Sequence, residues 1–145
     1  MAKVLVVDDD PAIRQLLSDV LELDGHEVHV AADGVDGVRT FASLRPDFVV
    51  LDIMMPRLDG YDVLHTIRVQ EASEVPVLLL TAAPGCAARG REIGASYYLA
   101  KPFTADEVLF LIDGVLGHET PMADVRAAVD VARGRGYSGT VESER

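Results

Sequence analysis

The sequence predicts an α/β protein built on a doubly wound, five-stranded parallel sheet. Five short apolar runs alternate with stretches of helical periodicity, and several of these runs are apolar throughout, as strands buried on both faces are. The 145 residues suit one domain with a short remainder, and 49% hydrophobic and 26% charged residues are enough to build a core. Regular alternation favours right-handed crossovers and the flavodoxin-like strand order 2-1-3-4-5.

The first helix follows the first strand and is the most strongly patterned. The predicted strands cover residues 4–7, 28–31, 48–51, 75–80 and 97–100. Pro11 stands at a first-turn position of the first helix and Gly25 follows its end. Its inward residues recur at helical spacing: Ile13, Leu16, Leu17, Val20 and Leu21.

The other four helices fill the remaining connections. The second begins near Asp33, with Val35, Val38, Phe41 and Ala42 facing inward. The third follows Gly60, with Tyr61, Leu64 and Ile67 facing inward, and the fourth is a short, weakly patterned stretch around residues 87–93. The fifth begins with a capping box from Thr104 to Glu107. Its inward residues are Val108, Leu111, Ile112 and Val115.

The pattern changes after Gly117, where the predicted domain ends. Residues 118–121 indicate a break, 122–133 a short helix and 134–145 a flexible polar end. So short a remainder cannot form a second core. We therefore divide the chain into a domain over 1–118 and a C-terminal tail over 119–145, whose helix carries an apolar stripe that packs on the domain or on a partner.

The net charge of −11 disfavours direct binding to nucleic acid or to anionic lipid surfaces. Cys86 is the single cysteine, which excludes an intramolecular disulfide and favours a reducing compartment, by default the cytoplasm. The apolar run at the N-terminus is too short for a signal peptide or a spanning helix, so no membrane association is expected.

Polar residues follow four of the five strands. Strand 1 leads into Asp8, Asp9 and Asp10, and strand 3 leads into Asp52. Since the carboxyl ends of parallel strands meet at one edge, the carboxylates of Asp8, Asp9 and Asp52 should converge and repel one another. Oxygen ligands without Cys or His favour a hard divalent cation, Mg²⁺ or Mn²⁺.

Strand 4 leads into Thr81 and strand 5 into Lys101, followed by Pro102. The chain has only two lysines, Lys3 and Lys101. Three carboxylates, one divalent cation and the Lys101 ammonium sum to zero charge. A site of this kind can receive a phosphoryl group, because positive charge is already directed at the oxygens being transferred.

The segments that contain these residues resemble the receiver domain of bacterial two-component response regulators. They are VVDD at 6–9, VLDIMMPRLDG at 50–60, LTA at 80–82 and LAKPF at 99–103. The resemblance covers about residues 2–117. It implies that Asp52 is the phospho-acceptor, that Asp8 and Asp9 hold Mg²⁺, and that the Met54 carbonyl is a further metal ligand.

The same resemblance assigns roles at strands 4 and 5. Thr81 and Lys101 would bind the phosphoryl oxygens, and Tyr98 would be the aromatic switch residue that turns inward after phosphorylation. It also implies a cis bond between Lys101 and Pro102. The stretch from Thr81 to Lys101 is about two residues shorter than the family pattern, with Pro84–Gly85 where helix 4 would start.

Several residues also have simpler interpretations. Asp10 before Pro11 suits a helix N-cap better than a metal ligand. Plain strand packing is the simpler interpretation of Tyr98, with Tyr97 as the exposed aromatic instead. The four histidines lie away from the strand ends and are expected to be solvated or satisfied: His26, His29, His65 and His118.

We interpret the chain as a stand-alone receiver that takes phosphate from a sensor histidine kinase or phosphotransfer protein, acts on a downstream protein target, and is not a turnover enzyme. A small Mg²⁺-dependent phosphatase of the haloacid dehalogenase type is one alternative, because Asp8 and Asp10 have the spacing of its two acids. The other is the receiver fragment of a DNA-binding regulator. The sequence leaves open whether phosphorylation forms a homodimer through helices 4 and 5.

Overall fold

The computed structural model describes residues 2–82, 87–116 and 141–143, which form one sheet with helices on both faces. The strands are β1 Lys3–Val7, β2 Glu27–Ala31, β3 Phe48–Asp52, β4 Val77–Thr81, β5 Tyr97–Ala100 and β6 Val141–Ser143. The helices are α1 Pro11–Leu23, α2 Gly34–Leu44, α3 Gly60–His65, α4 Ala87–Ile93 and α5 Ala105–Val115. A π-helical turn, Thr66–Gln70, continues α3.

The sheet has the order β2-β1-β3-β4-β5-β6. Its first five strands are parallel, which confirms the predicted fold class and strand order. β6 adds antiparallel to β5, where Tyr97 pairs with Ser143 and Leu99 with Val141. The prediction of a flexible end over 134–145 is therefore wrong for residues 141–143, which form a strand paired with β5. The helix predicted near 122–133 lies outside the described residues.

Strand alternation divides the core into two layers. On one face, Leu5, Val7 and Leu51 pack with Phe41 of α2 and with residues of α3. The opposite face of the sheet packs on α1 and α5 through a second set of buried residues: Val4, Val6, Leu17, Leu21, Leu99, Val108, Leu111 and Ile112. Every residue of β3 is buried, as expected of a central parallel strand covered on both faces.

The predicted inward face of α2 is partly wrong. Val35 is 45% exposed and Ala42 is also exposed, whereas Phe41 is buried as predicted. The reason is close packing at two glycines. A Cβ at Gly37 would lie 2.9 Å from a methyl of Val7, and one at Gly34 would collide with the Leu58 carbonyl. Gly37 thus brings the helix backbone against Val7 of β1 and Gly34 brings it against the loop after β3, which leaves Val35 exposed.

Helix α1 shows a smaller difference, because Leu16 is 45% exposed whereas Leu17 and Leu21 are buried. Its N-cap is confirmed: Asp10 accepts a hydrogen bond from the Ala12 backbone N–H. The capping box of α5 is also confirmed, since Thr104 and Glu107 each accept a backbone N–H of the other. β4 begins at Val77, two residues later than predicted.

Within the described part of the chain, none of the helices is both long and apolar enough to cross a membrane.

Candidate functional site at the carboxyl edge of the sheet

Strand register brings the predicted site residues together. Val7 of β1 pairs with Leu51 of β3, so Asp8 and Asp52 leave neighbouring strands at the same level. Thr81 at the end of β4 pairs with Ala100 of β5, which places Thr81 beside Lys101. We call Asp8, Asp9, Asp52 and Lys101 the carboxyl-edge cluster.

The Lys101 ammonium lies between two buried carboxylates. Its Nζ is 3.2 Å from Asp52 Oδ1 and 3.5 Å from Asp8 Oδ2. Asp8 is fully buried and Asp52 is 2% exposed, while Asp9 is exposed. One cation therefore serves two carboxylates, and the cluster keeps an excess of negative charge.

Backbone contacts hold Asp8 in place. Asp8 Oδ1 accepts a hydrogen bond from the Asp10 N–H at 2.9 Å. The Arg14 guanidinium, on the first turn of α1, donates to the Asp8 carbonyl oxygen at 2.8 Å. Asp10 points elsewhere, since its carboxylate caps α1. The loop after β1 is thus fixed around Asp8.

Burial and crowding shift the titration of the cluster. Burial, followed by the charge of Asp8, raises the pKa of Asp52 to about 6, although Lys101 acts in the opposite direction. Burial also raises the pKa of Asp8. Burial alone would lower the pKa of Lys101, but the charges of Asp52 and Asp8 outweigh it and raise that pKa. Carboxylates with raised pKa values beside a charged lysine indicate a shortage of positive charge.

The donor set fits a hard divalent cation. Asp8, Asp9 and Asp52 each offer one carboxylate oxygen, and these oxygens lie within 4.8 Å of one another. Oxygen-only donors with uncompensated charge suit Mg²⁺ better than a softer metal. The acidic cluster can therefore hold a metal ion.

Thr81 and Lys101 are adjacent, as predicted. Thr81 is 3% exposed, and its carbonyl oxygen accepts the Lys101 N–H at 2.7 Å. The Lys101–Pro102 peptide bond is cis, which confirms what the resemblance implied. The Met54 side chain, in the loop after Asp52, is 68% exposed.

Tyr98 is buried in this structure. Its side chain is 1% exposed, whereas Tyr97 is half-buried. The ring lies beneath α4, where a Cβ at Gly90 would come within 2.9 Å of Tyr98 Cε1, and the Arg91 guanidinium lies 5.8 Å from the ring centre. Tyr98 therefore packs inward beneath α4, and its switch role stays a prediction.

Two residues near the site, Arg14 and Arg57, were given no role from the sequence. Arg14 contacts the Asp8 carbonyl, and only its position on the first turn of α1 hinted at this. Arg57 has φ 68°, a left-handed conformation that costs a non-glycine residue free energy. The conformation of the loop between β3 and α3 also requires glycine at position 60, because a Cβ on Gly60 would collide with the Asp52 carbonyl.

The chain is similar in sequence to known response regulators. Residues 4–113 match the family model described as the response regulator receiver domain. Response regulator MprA of Mycobacterium ulcerans (strain Agy99) is 42% identical over 132 residues, which cover 90% of this chain and 56% of the relative. MprA of Mycobacterium bovis (strain BCG / Pasteur 1173P2) is 42% identical over 121 residues, covering 82% of this chain and 52% of the relative.

Solved structures agree in fold. The chemotaxis response regulator CheY4 of Vibrio cholerae aligns with a TM-score of 0.74 and 36% identity, over 79% of this chain and 98% of that one. NtrX from Brucella abortus aligns with a TM-score of 0.73 and 30% identity, over 92% of this chain but 30% of that one. The chain spans about half the length of the MprA relatives. Its fold, its edge cluster and these matches together show that the chain belongs to the response regulator receiver domain family.

Proposed function

We propose that this chain is a phosphorylation switch whose Asp52 takes a phosphoryl group from a phosphohistidine on a sensor kinase or phosphotransfer protein. The observation that supports this most strongly is the position of Lys101 Nζ, 3.2 Å from the Asp52 carboxylate at the open edge of the sheet. A buried carboxylate beside a fixed ammonium can attack an anionic phosphoryl group, because the ammonium offsets the negative charge of both reactants.

In the proposed reaction, one Asp52 oxygen forms a bond to phosphorus while the bond between phosphorus and the donor imidazole nitrogen breaks. The electron pair of that bond returns to the imidazole nitrogen, so the donor leaves as a neutral histidine after protonation. Asp52 must be ionised to attack. Lys101 stabilises the negative charge on the oxygens being transferred, and Thr81 supplies a hydroxyl donor beside it.

Asp8, Asp9 and Asp52 would hold Mg²⁺, with the Met54 carbonyl as a further ligand. When bound, the cation supplies positive charge at the phosphoryl oxygens. The arrangement of carboxylates around a single lysine supports this assignment. Where the donor oxygens of Asp8, Asp9 and Asp52 come together, the negative charge exceeds the positive charge of Lys101.

Thr81 and Tyr98 would carry the signal away from Asp52. Leu79 of β4 pairs with Tyr98 of β5, and Thr81 lies two residues beyond Leu79 on the same face of its strand. Movement of Thr81 towards a phosphoryl oxygen would change the space available to the Tyr98 ring. The downstream protein target would then recognise the altered surface near α4 and β5.

Of the two alternatives, the phosphatase interpretation has less support. It requires a second acid at Asp10, but this carboxylate is exposed and accepts the Ala12 N–H as the cap of α1. The stand-alone arrangement stays a prediction, supported by near-complete coverage of the CheY4 chain. The receiver fragment of a longer regulator stays the alternative, given the length of the MprA relatives.

Labelling by a phosphohistidine donor in the presence of Mg²⁺ tests the proposal. The wild type should gain one phosphoryl group by intact mass, and Asp52→Asn should gain none. Asp59→Asn is the matched control, because Asp59 lies in the same loop and asparagine also caps a helix. Undiminished labelling of Asp52→Asn, or label on Asp8 in the wild type, would contradict the assignment.

A further inference from the structure

The two outer strands of the parallel core differ in charge. β2 includes Glu27 and His29, whose side chains are partly exposed and lie 3.6 Å apart. β5 is the uncharged segment Tyr97–Ala100. A charged outer strand discourages pairing with a strand of another molecule, whereas an uncharged one invites pairing through its main-chain groups. The outer side of β5 therefore needs a cover more than the outer side of β2 does.

β6 supplies that cover. It runs antiparallel to β5, and Glu142 lies opposite Tyr98 at the centre of the pair. The helices next to β5 lie on the two faces of the sheet, since Gly90 of α4 approaches the Tyr98 ring and Leu99 packs in the layer that contains α5. β6 thus lies at the border of the sheet, between the layers of α4 and α5.

The main-chain groups of β5 that point outwards meet the centre of β6. Leu80 of β4 accepts the Ile53 N–H from the β3 side, so the preceding residue, Leu79, directs its N–H and C=O towards β5. In a parallel pair such a residue bonds both neighbours of its register partner, which for Leu79 is Tyr98. Tyr98 itself therefore directs its main-chain groups outwards, to Glu142.

A second copy of this chain can present an equivalent strand to the outer side of β5. Two β5 strands related by a twofold axis would pair antiparallel, which is the direction that β6 has. β6 belongs to the same molecule, so its tether favours it over a strand from another molecule. With only three residues, however, β6 forms few hydrogen bonds, so it can be displaced.

We propose that β6 is a displaceable cover of the outer side of β5, and that a second copy of this chain pairs its own β5 with this side when β6 leaves. The product is a twofold dimer with one continuous sheet. A molecule whose β6 is bound cannot take part. The apparent affinity of dimerisation is therefore reduced in proportion to the fraction of molecules whose β6 is displaced.

Glu142→Pro in the full chain tests the cover. Proline lacks the N–H that faces Tyr98, and its fixed φ does not suit an antiparallel strand, so β6 should leave β5. Glu142→Ala is the matched control, because it loses the same side chain and keeps the main-chain donor. In sedimentation velocity, Glu142→Pro should dimerise at a concentration lower than the wild type by about tenfold or more, and Glu142→Ala should behave like the wild type. A proline variant that dimerises no more readily than the alanine variant would overturn the proposal.

Amide exchange identifies the surface involved. The Tyr98 amide should be protected in the dilute wild type, should exchange faster in dilute Glu142→Pro, and should regain protection as the variant dimerises. The Leu99 amide is the internal control, since it faces β4 and should exchange alike in both proteins. An unprotected Tyr98 amide in the wild type, or a dimer that leaves it unprotected, would overturn the proposal. Neither measurement involves phosphoryl transfer, so such a result would leave the proposed function of Asp52 unaffected.

Discussion

Two clusters at opposite edges of one sheet place carboxylates around a side-chain nitrogen, but the nitrogen belongs to a lysine in one cluster and to a histidine in the other. At the carboxyl edge, Lys101 brings a full charge to Asp8 and Asp52. At the amino edge, His26 Nε2 lies 3.2 Å from Asp24 and 3.0 Å from Asp113, and we call these three residues the amino-edge cluster.

The surroundings explain the difference. The carboxyl-edge cluster has a third carboxylate, Asp9, within 4.8 Å, and even a lysine leaves the pKa of Asp52 raised to about 6. Among the described residues, the amino-edge cluster has two carboxylates, Asp24 and Asp113, and the Ala2 backbone N–H donates to His26 Nδ1. The first arrangement therefore calls for more positive charge than the described residues supply, whereas in the second a buried imidazole already lies against both carboxylates.

Removing the lysine should have the largest effect. Lys101→Met should slow phosphoryl transfer from a phosphohistidine donor by roughly 10²-fold or more, as loss of a preorganised charge at a reacting group does. Lys3→Met is the control, since Lys3 is the other lysine of the chain, lies at the amino edge and is exposed. The measurement is the initial rate of labelling under saturating Mg²⁺. Equal rates for the two variants would remove Lys101 from the proposed machinery.

Removing one carboxylate of the acidic set should weaken metal binding. Asp9→Asn should raise the Kd for Mg²⁺ by about tenfold, which corresponds to about 1.4 kcal/mol. Asp10→Asn should leave the Kd unchanged, because Asp10 caps α1 and asparagine does so equally well. Calorimetric titration of both variants decides this. If Asp10→Asn weakens binding as much as Asp9→Asn, the metal ligands are assigned wrongly.

Neutralising Asp52 should stabilise the metal-free fold. Because the pKa of Asp52 is raised to about 6, its protonated form favours the folded state, and that stability is lost as pH rises through about 6. Asp52→Asn should therefore raise the free energy of unfolding at pH 8 by about 2 kcal/mol. The gain should shrink towards pH 5. Urea unfolding at pH 8 and pH 5 measures this gain in the free energy of unfolding. A variant less stable than the wild type at pH 8 would mean that the ionised Asp52 carboxylate does not destabilise the fold.

The tail strand should have the smallest effect on the carboxyl edge. β6 pairs with β5 at residues 97–99, short of Lys101. Ending the chain after residue 140 should leave the rate of Asp52 labelling within about twofold of the full chain, because both edge clusters lie in the domain. A clear loss of labelling would mean that the tail supports the proposed site.

The carboxyl edge could be predicted from the sequence because chain order and strand polarity determine it. Asp8, Asp52 and Lys101 each follow an apolar run, and parallel strands bring such positions together whatever the details of packing. Whether the Tyr98 side chain is buried could not be predicted from chain order, because its burial depends on close packing against Gly90 of α4.

The amino-edge cluster and the face of α2 were missed for a related reason. Asp24, His26 and Asp113 have no motif spacing, and 87 residues separate His26 from Asp113 in the chain. Their meeting depends on how α5 packs beside the α1–β2 turn. In α2, hydrophobic periodicity favoured Val35, but close approach at Gly37 decided the orientation of the helix. Sequence periodicity carries no information on such backbone contacts.

The most direct test of the account is a carboxyl ¹³C titration of Asp52 and Asp113 in the same wild-type sample, with and without saturating Mg²⁺. Asp52 should titrate near a pKa of about 6 in the absence of Mg²⁺ and well below that value when Mg²⁺ is bound, because the cation favours the ionised carboxylate. Asp113, at the other edge, should titrate alike in both conditions. An ordinary midpoint for Asp52, or a midpoint that Mg²⁺ leaves unchanged, would contradict the claim that this carboxylate lies in a metal-binding site short of positive charge.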